Sequence, residues 1–167
     1  EWMEKSFAHV PKKAVLLNPF EPIALFGVKI IPFPVHHMWY QDNENEVLAS
    51  NNTFGFLLEH EGKRVAYLSD YYEIPDKSMK LILGVDVLVA DGTYVLEEFF
   101  PNKKLQEGER GDLDHIHGTA IIEALTLIEA KQVVLHSITH LSEKLHEEIS
   151  SALPESWVPG FDGMNLL

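Results

Sequence analysis

The chain has 167 residues, 46% of them apolar, and sets 26 acidic side chains against 13 basic ones for a net charge of −13. That is enough apolar matter for one domain with a real core, while the acidic balance, with no clustered basic stripe, makes nucleic acid a poor partner. Cysteine is absent, which removes disulfides, thiolate nucleophiles and Cys-bound zinc, and no apolar run approaches the ~18 residues of a membrane span.

The first residue is Glu1, and no basic start leads into an apolar stretch with a small-residue cleavage site, so the sequence is expected to be a fragment or processed chain of cytosolic type. The first strong element is "VKIIPFPV", residues 28–35, an apolar run whose two prolines suit an edge or terminating strand. It runs directly into His36 and His37. Next, "NTFGFLLEH", "EGK" and "RVAYLS" form a hairpin turning near Gly62, and its second strand ends on Asp70. Pro75 then opens a helix over 75–83, in which Met79, Ile82 and Leu83 recur at helical spacing.

"VDVLVA", residues 85–90, is a near-continuous apolar run, the pattern of a strand covered on both faces, and Asp91 closes it. Residues 95–114 are charged and irregular, a length of loop that in a compact domain is usually functional or mobile. "GTAIIEALTLIEA", residues 118–130, is the clearest amphipathic helix, and "KQVVLHSI" returns as a buried strand running into His136 and, further on, His140. "SEKLHEEISSALP" forms a last helix with Ser142 as N-cap and Pro154 as stop. Strands alternating with helices from about residue 64 onward give a layered α/β domain.

Nine histidines are many for this length, and six of them gather in three local groups: His36 with His37, His115 with His117, His136 with His140. His9, His60 and His146 stand in polar surroundings and read as surface. In layered α/β domains ligands bind at the carboxyl ends of strands, where loops are free to supply polar groups. Imidazole and carboxylate together are a ligand set for zinc, manganese or iron. An Asp closing a strand is more often a turn-former, and a lone His there is more often structural. It is the recurrence at successive strand ends that points to a metal.

The segments "FPVHH", "TFGFLLEHEGKRVAYLSD", "DHIHGTAIIEALTLIEAKQVVL" and "GFDGMNLL" resemble the metallo-β-lactamase superfamily, and within it the cyclic-phosphate phosphodiesterase branch associated with carbon–phosphorus lyase pathways, near ribonuclease Z. The resemblance covers the chain from about residue 20. It implies an αββα sandwich, its N-terminal part missing or truncated here, with a centre of one or two divalent ions, zinc or manganese, between the inner edges of two sheets. On that pattern His37 is a metal ligand and Asp70 the carboxylate that bridges two ions about 3.5–4 Å apart. His115 contacts the scissile phosphate and protonates the leaving group.

The sequence departs from the family pattern in two places. The family's His-x-His-x-Asp-His motif, which lies upstream of these segments, is absent. The late strand-Thr-His ligand falls by ungapped match on Ser137, with His136 one residue early and His140 three residues late, in a loop able to bring it back to the metal. His136, His36, His117 and Asp91 are then supporting residues around the site, and the 95–114 loop frames the pocket.

The function this implies is hydrolysis of a small phosphodiester or related ester. The alternatives are a catalytically incomplete half-domain that works by pairing, as a homodimer or with its own missing segment, and a ribonuclease Z-like nuclease, which the charge disfavours.

Overall fold

The computed structural model describes residues 16–37, 39–41, 47–49, 53–93, 95, 119–138 and 146–166. Among these residues, nine strands and three helices follow one another. β1 (Ile23–Leu25) and β2 (Val28–Val35) form a hairpin, and β3 (Trp39–Gln41) pairs with β4 (Val47–Ala49) in a separate two-stranded ladder. β5 (Thr53–His60) and β6 (Lys63–Leu68) are followed by α1 (Asp76–Ile82), β7 (Val87–Asp91), α2 (Thr119–Thr126), β8 (Gln132–His136), α3 (His146–Ala152) and β9 (Trp157–Pro159).

Seven of the strands make one sheet in the order β1-β2-β5-β6-β7-β8-β9. Its first half, through β6, is antiparallel. From β6 to β9 it is parallel, as expected where helices carry the chain back between strands. The β5–β6 turn takes Glu61 and Gly62 through φ of 47° and 76°, the left-handed pair that matches strand twist in a two-residue hairpin and that glycine adopts without strain.

Alternation along the strands separates two faces. Ile31, Phe33 and Val35 of β2, Leu57 of β5, Ala66 and Leu68 of β6, Leu88 and Ala90 of β7 and Leu135 of β8 are buried in one cluster with Ile82, Ile121, Leu125 and Ile149 of the helices. All three helices therefore cover the same face. Gly55 lies within this layer because a Cβ there would run into the ring of Phe33 and press on Leu68. The opposite face is also apolar but only half-buried. Ile23, Ile30, Phe56, Leu58, Val65, Tyr67 and Val89 line a shallow depression of about 460 Å³ on it. The layered α/β class holds, and the seven-stranded sheet with its helices supplies one side of the sandwich that the resemblance implies.

Residues 28–35 form the expected strand, but β2 is an edge for only part of its length. Over residues 28–30 it lies between β1 and β5; beyond Ile30, β1 has ended. Pro32 directs its carbonyl away from β5, toward the Phe20 N–H (2.7 Å), so its missing N–H falls on the side where no ladder continues. α2 ends sooner than the apolar spacing predicts. It stops at Thr126, whose hydroxyl bonds back to the Ile122 carbonyl (2.6 Å), and the chain reverses at Glu129 (φ 55°). Ser142 and the 95–114 loop, except Val95, lie outside the described residues. No helix among the described residues is long and apolar enough to cross a membrane.

Candidate metal centre

The carboxyl ends of β2, β6, β7 and β8 carry His36, His37, Asp70, Asp91 and His136. The chain leaving β2 is tied to the chain leaving β6 by backbone bonds. His36 N–H donates to the Glu73 carbonyl (2.9 Å), and the His36 carbonyl accepts from Tyr72 N–H (2.6 Å) and Glu73 N–H (3.1 Å). The His36 imidazole adds a fourth tie, with Nδ1 donating to Glu73 Oε2 (3.1 Å). His36 thus fixes one loop against the other. The next side chain, His37, then faces Asp70, its Nε2 3.9 Å from Oδ1.

That spacing suits a shared cation. Two donors each about 2.1 Å from a tetrahedral zinc stand roughly 3.4 Å apart, so a small side-chain rotation brings the pair to bonding separation. The Asp70 side chain is about half exposed and that of His37 a quarter exposed. A neutral imidazole nitrogen and a carboxylate oxygen are the donors that zinc and manganese accept. Among the described residues no group of three or more His, Asp or Glu side chains is gathered to hold a metal. The pair therefore fits part of a ligand set. His140 and His115, expected as further ligand and acid, lie outside the described residues, as does His117.

Asp91 and His136 sit side by side as register partners at the ends of β7 and β8. Asp91 is nearly fully buried, and its Oδ1 accepts from Thr93 N–H (3.2 Å) and Thr93 Oγ1 (2.6 Å), so it closes the strand as a turn-former does. The ring of His136 stacks on Tyr67, with centroids 5.3 Å apart and planes at 14°. Its Nε2 meets the Leu68 carbonyl at 3.0 Å, and its Nδ1 meets Ser137 Oγ at 2.7 Å. Ser137, where the ungapped match puts the family's late ligand, spends its side chain on that imidazole. Beneath Asp70, Tyr71 is 1% exposed and its hydroxyl has no hydrogen-bond partner among the described residues. Burial, and secondarily the Asp91 carboxylate, hold this phenol well above its ordinary pKa.

Sequence reasoning passed over Glu73, Thr93 and Tyr71. The "DGT" after β7 is a readable turn signal for Thr93. Glu73 and Tyr71 matter only through contacts with residues far along the chain. A cavity of about 430 Å³ beside this region is lined by His136, Ser137 and the 160–164 stretch of the "GFDGMNLL" segment.

A family described as "Beta-lactamase superfamily domain" matches residues 2–141. Coenzyme PQQ synthesis protein B of Methylobacterium sp. (strain 4-46) is 26% identical over 168 residues, covering 95% of this chain and 56% of that protein. The same protein from Methylorubrum extorquens (strain PA1) is 26% identical over 166 residues, covering 94% and 56%. The chain therefore spans about half the length of these curated relatives. Among solved structures, a diphosphatase from the PhnP family superposes with a TM-score of 0.65 at 25% identity, over 97% of this chain and 52% of that one. Zinc-bound PqqB from Methylobacterium extorquens superposes with a TM-score of 0.68 at 24% identity, over 96% and 57%, a likeness of fold. With the family match spanning most of the sequence, the chain belongs to the metallo-β-lactamase superfamily.

Proposed function

We propose that the protein is a metal-dependent hydrolase acting on a small phosphodiester or related ester. The observation that carries this reading is the approach of His37 Nε2 to within 3.9 Å of Asp70 Oδ1, made by two loops locked together through His36 and Glu73. The likeness to a PhnP-family diphosphatase supports phosphate chemistry.

His37 and Asp70, with His140 from the loop after β8, would hold one or two zinc or manganese ions. When bound, such an ion supplies Lewis acidity and makes water a competent nucleophile near neutral pH. Asp70 contributes the negative charge that offsets the cation, and His37 contributes a neutral nitrogen that leaves net positive charge for an anionic ester. His36 and Glu73 hold the two donors' backbones in place. His115 gives a proton to the departing oxygen. An acidic chain with no basic stripe suits a small ester better than structured RNA, whose phosphates need Lys or Arg contacts.

The decisive assay is hydrolysis of bis(4-nitrophenyl) phosphate by the full-length protein with added zinc or manganese. His37→Ala and Asp70→Asn are each expected to lower turnover on the order of a hundredfold or more, and a chelator to abolish it. Turnover that ignores both substitutions would overturn the reading.

Two observations favour further readings. The half-buried apolar face, in a chain half as long as its relatives, favours a half-domain completed by more sheet, from its own protein or a second copy. Sedimentation of the chain with and without flanking sequence tests that. The relatives' name, coenzyme PQQ synthesis protein B, favours a step in coenzyme synthesis, and restored coenzyme production in a strain lacking that protein would support it.

A further inference from the structure

We propose that His136 is a positioning residue for the metal centre, holding the end of β6 so that Asp70 faces His37; this rests on the reading of those two residues as ligands. Leu68 is the last residue of β6 paired to β7, and Asp70 follows two residues later. Beyond that pair the β6–β7 ladder ends. The Leu68 carbonyl is instead taken by His136 Nε2 (3.0 Å), which reaches across the end of β7 from the strand beyond it.

The ring's protonation follows from its partners. A carbonyl only accepts, so Nε2 carries the proton. Nδ1 is engaged by Ser137 Oγ at 2.7 Å. Both nitrogens are spent on protein groups, and no lone pair remains to bind a metal. His136 therefore acts on the centre only through Leu68.

Three further contacts hold the ring and Ser137. Tyr67 stacks against the imidazole at 5.3 Å. Ser137 is kept in the left-handed region (φ 55°), a conformation that is costly for a non-glycine residue and persists only where its surroundings enforce it. The enforcement is visible: the Ser137 carbonyl lies 3.1 Å from Thr93 Oγ1, whose single proton is shared with Asp91 Oδ1 at 2.6 Å. Asp91, Thr93, Ser137 and His136 thus form one chain of bonds running from β7 through β8 to the end of β6. A purely packing role would need the ring but not its N–H.

Cobalt(II) titration of the full-length protein, by absorption and by chelator competition, separates these cases. His136→Leu keeps an apolar body on Tyr67 and is expected to bind cobalt about tenfold more weakly, while His136→Gln, whose amide N–H can serve the same carbonyl, recovers affinity to within about threefold. Leucine and wild-type proteins of equal affinity would overturn the proposal, as would a glutamine variant no better than leucine. If His136→Leu does not fold, Ser137→Ala decides. It removes only the hydroxyl that meets Nδ1 and is expected to weaken cobalt binding about threefold, and unchanged affinity counts against the proposal. His37→Ala is the separate control. Cobalt binding indifferent to it sinks the metal-centre reading and this inference together, whereas cobalt binding lost with it but unmoved by His136→Leu sinks this inference alone.

Discussion

The two ends of the parallel strands β6, β7 and β8 are built from different chemistry. At their amino ends charge is closed on itself. Asp86 accepts from Arg64 N–H (2.8 Å) and Lys131 Nζ (2.8 Å), and the Arg64 guanidinium donates to the carbonyls of Leu81 (2.6 Å) and Leu83 (3.1 Å) where α1 ends. Asp86, Lys131 and Arg64 thus each meet a group of opposite sign or a carbonyl at the helix end. At their carboxyl ends the ties run through the His136 imidazole, the hydroxyls of Thr93 and Ser137 and the buried Asp91 carboxylate, while His37 Nε2 stands 3.9 Å from Asp70 Oδ1 with both side chains partly exposed. One end spends its charges on holding the sheet together, and at the other the His37 and Asp70 pair stands partly exposed. On the proposed function, stability and chemistry would fall at opposite ends of the same strands.

Variants at the two ends should therefore have separable effects. The largest effect on folding is expected at the amino end. Arg64→Ala removes both guanidinium bonds to α1 and should lower unfolding free energy by about 2 kcal/mol, read from urea unfolding, while cobalt affinity stays at the wild-type value. A matching loss of cobalt affinity would break the division. Tyr71→Phe acts at the other end and in the opposite direction. Deleting a buried hydroxyl that has no hydrogen-bond partner among the described residues should raise stability by about 1 kcal/mol, and a fall would mean that the hydroxyl is bonded in solution.

The smallest effect is one of pH. The hydrogen bond from Lys131, then that from Arg64 N–H, holds the Asp86 carboxyl below its ordinary value. A depressed carboxylate adds stability that is complete above its unfolded pKa and is lost as pH falls through the lower folded one. Wild-type protein should therefore lose melting temperature on acidification below about pH 4, and Asp86→Asn should show a shallower acid limb. Parallel limbs in the two proteins would remove Asp86 from the account.

The strands were legible because alternation and apolar runs are local properties. Residues 28–35 gave β2 to the residue, and the hairpin around Gly62 formed where its turn chemistry put it. The meeting of strand ends was legible as well, since a layered topology gathers them whatever the loops do. What could not be read were contacts that span the chain. Arg64 and Asp86 are 22 residues apart, Asp86 and Lys131 are 45 apart, and Leu68 and His136 are 68 apart. Nothing in the spelling of a lysine or a histidine announces a partner at such a distance. His136 shows the limit: its place at a strand end suggested a role near the metal, but only coordinates show which carbonyl takes its proton. His146, read as surface, is exposed, yet its Nε2 lies 3.0 Å from the Pro159 carbonyl and ties α3 to the end of β9.

The prolines of β2 have one more consequence. A free strand flank normally invites pairing with any extended peptide that can match its donors and acceptors. Past Ile30 this flank lacks the amide protons of residues 32 and 34, and the carbonyls of those prolines already accept from Phe20 N–H and Ser78 Oγ, so an incoming strand would find little of a ladder to join. Fibril-like extension is blocked along that border. The prolines thus guard that border of the sheet and leave its half-buried apolar face as a separate matter.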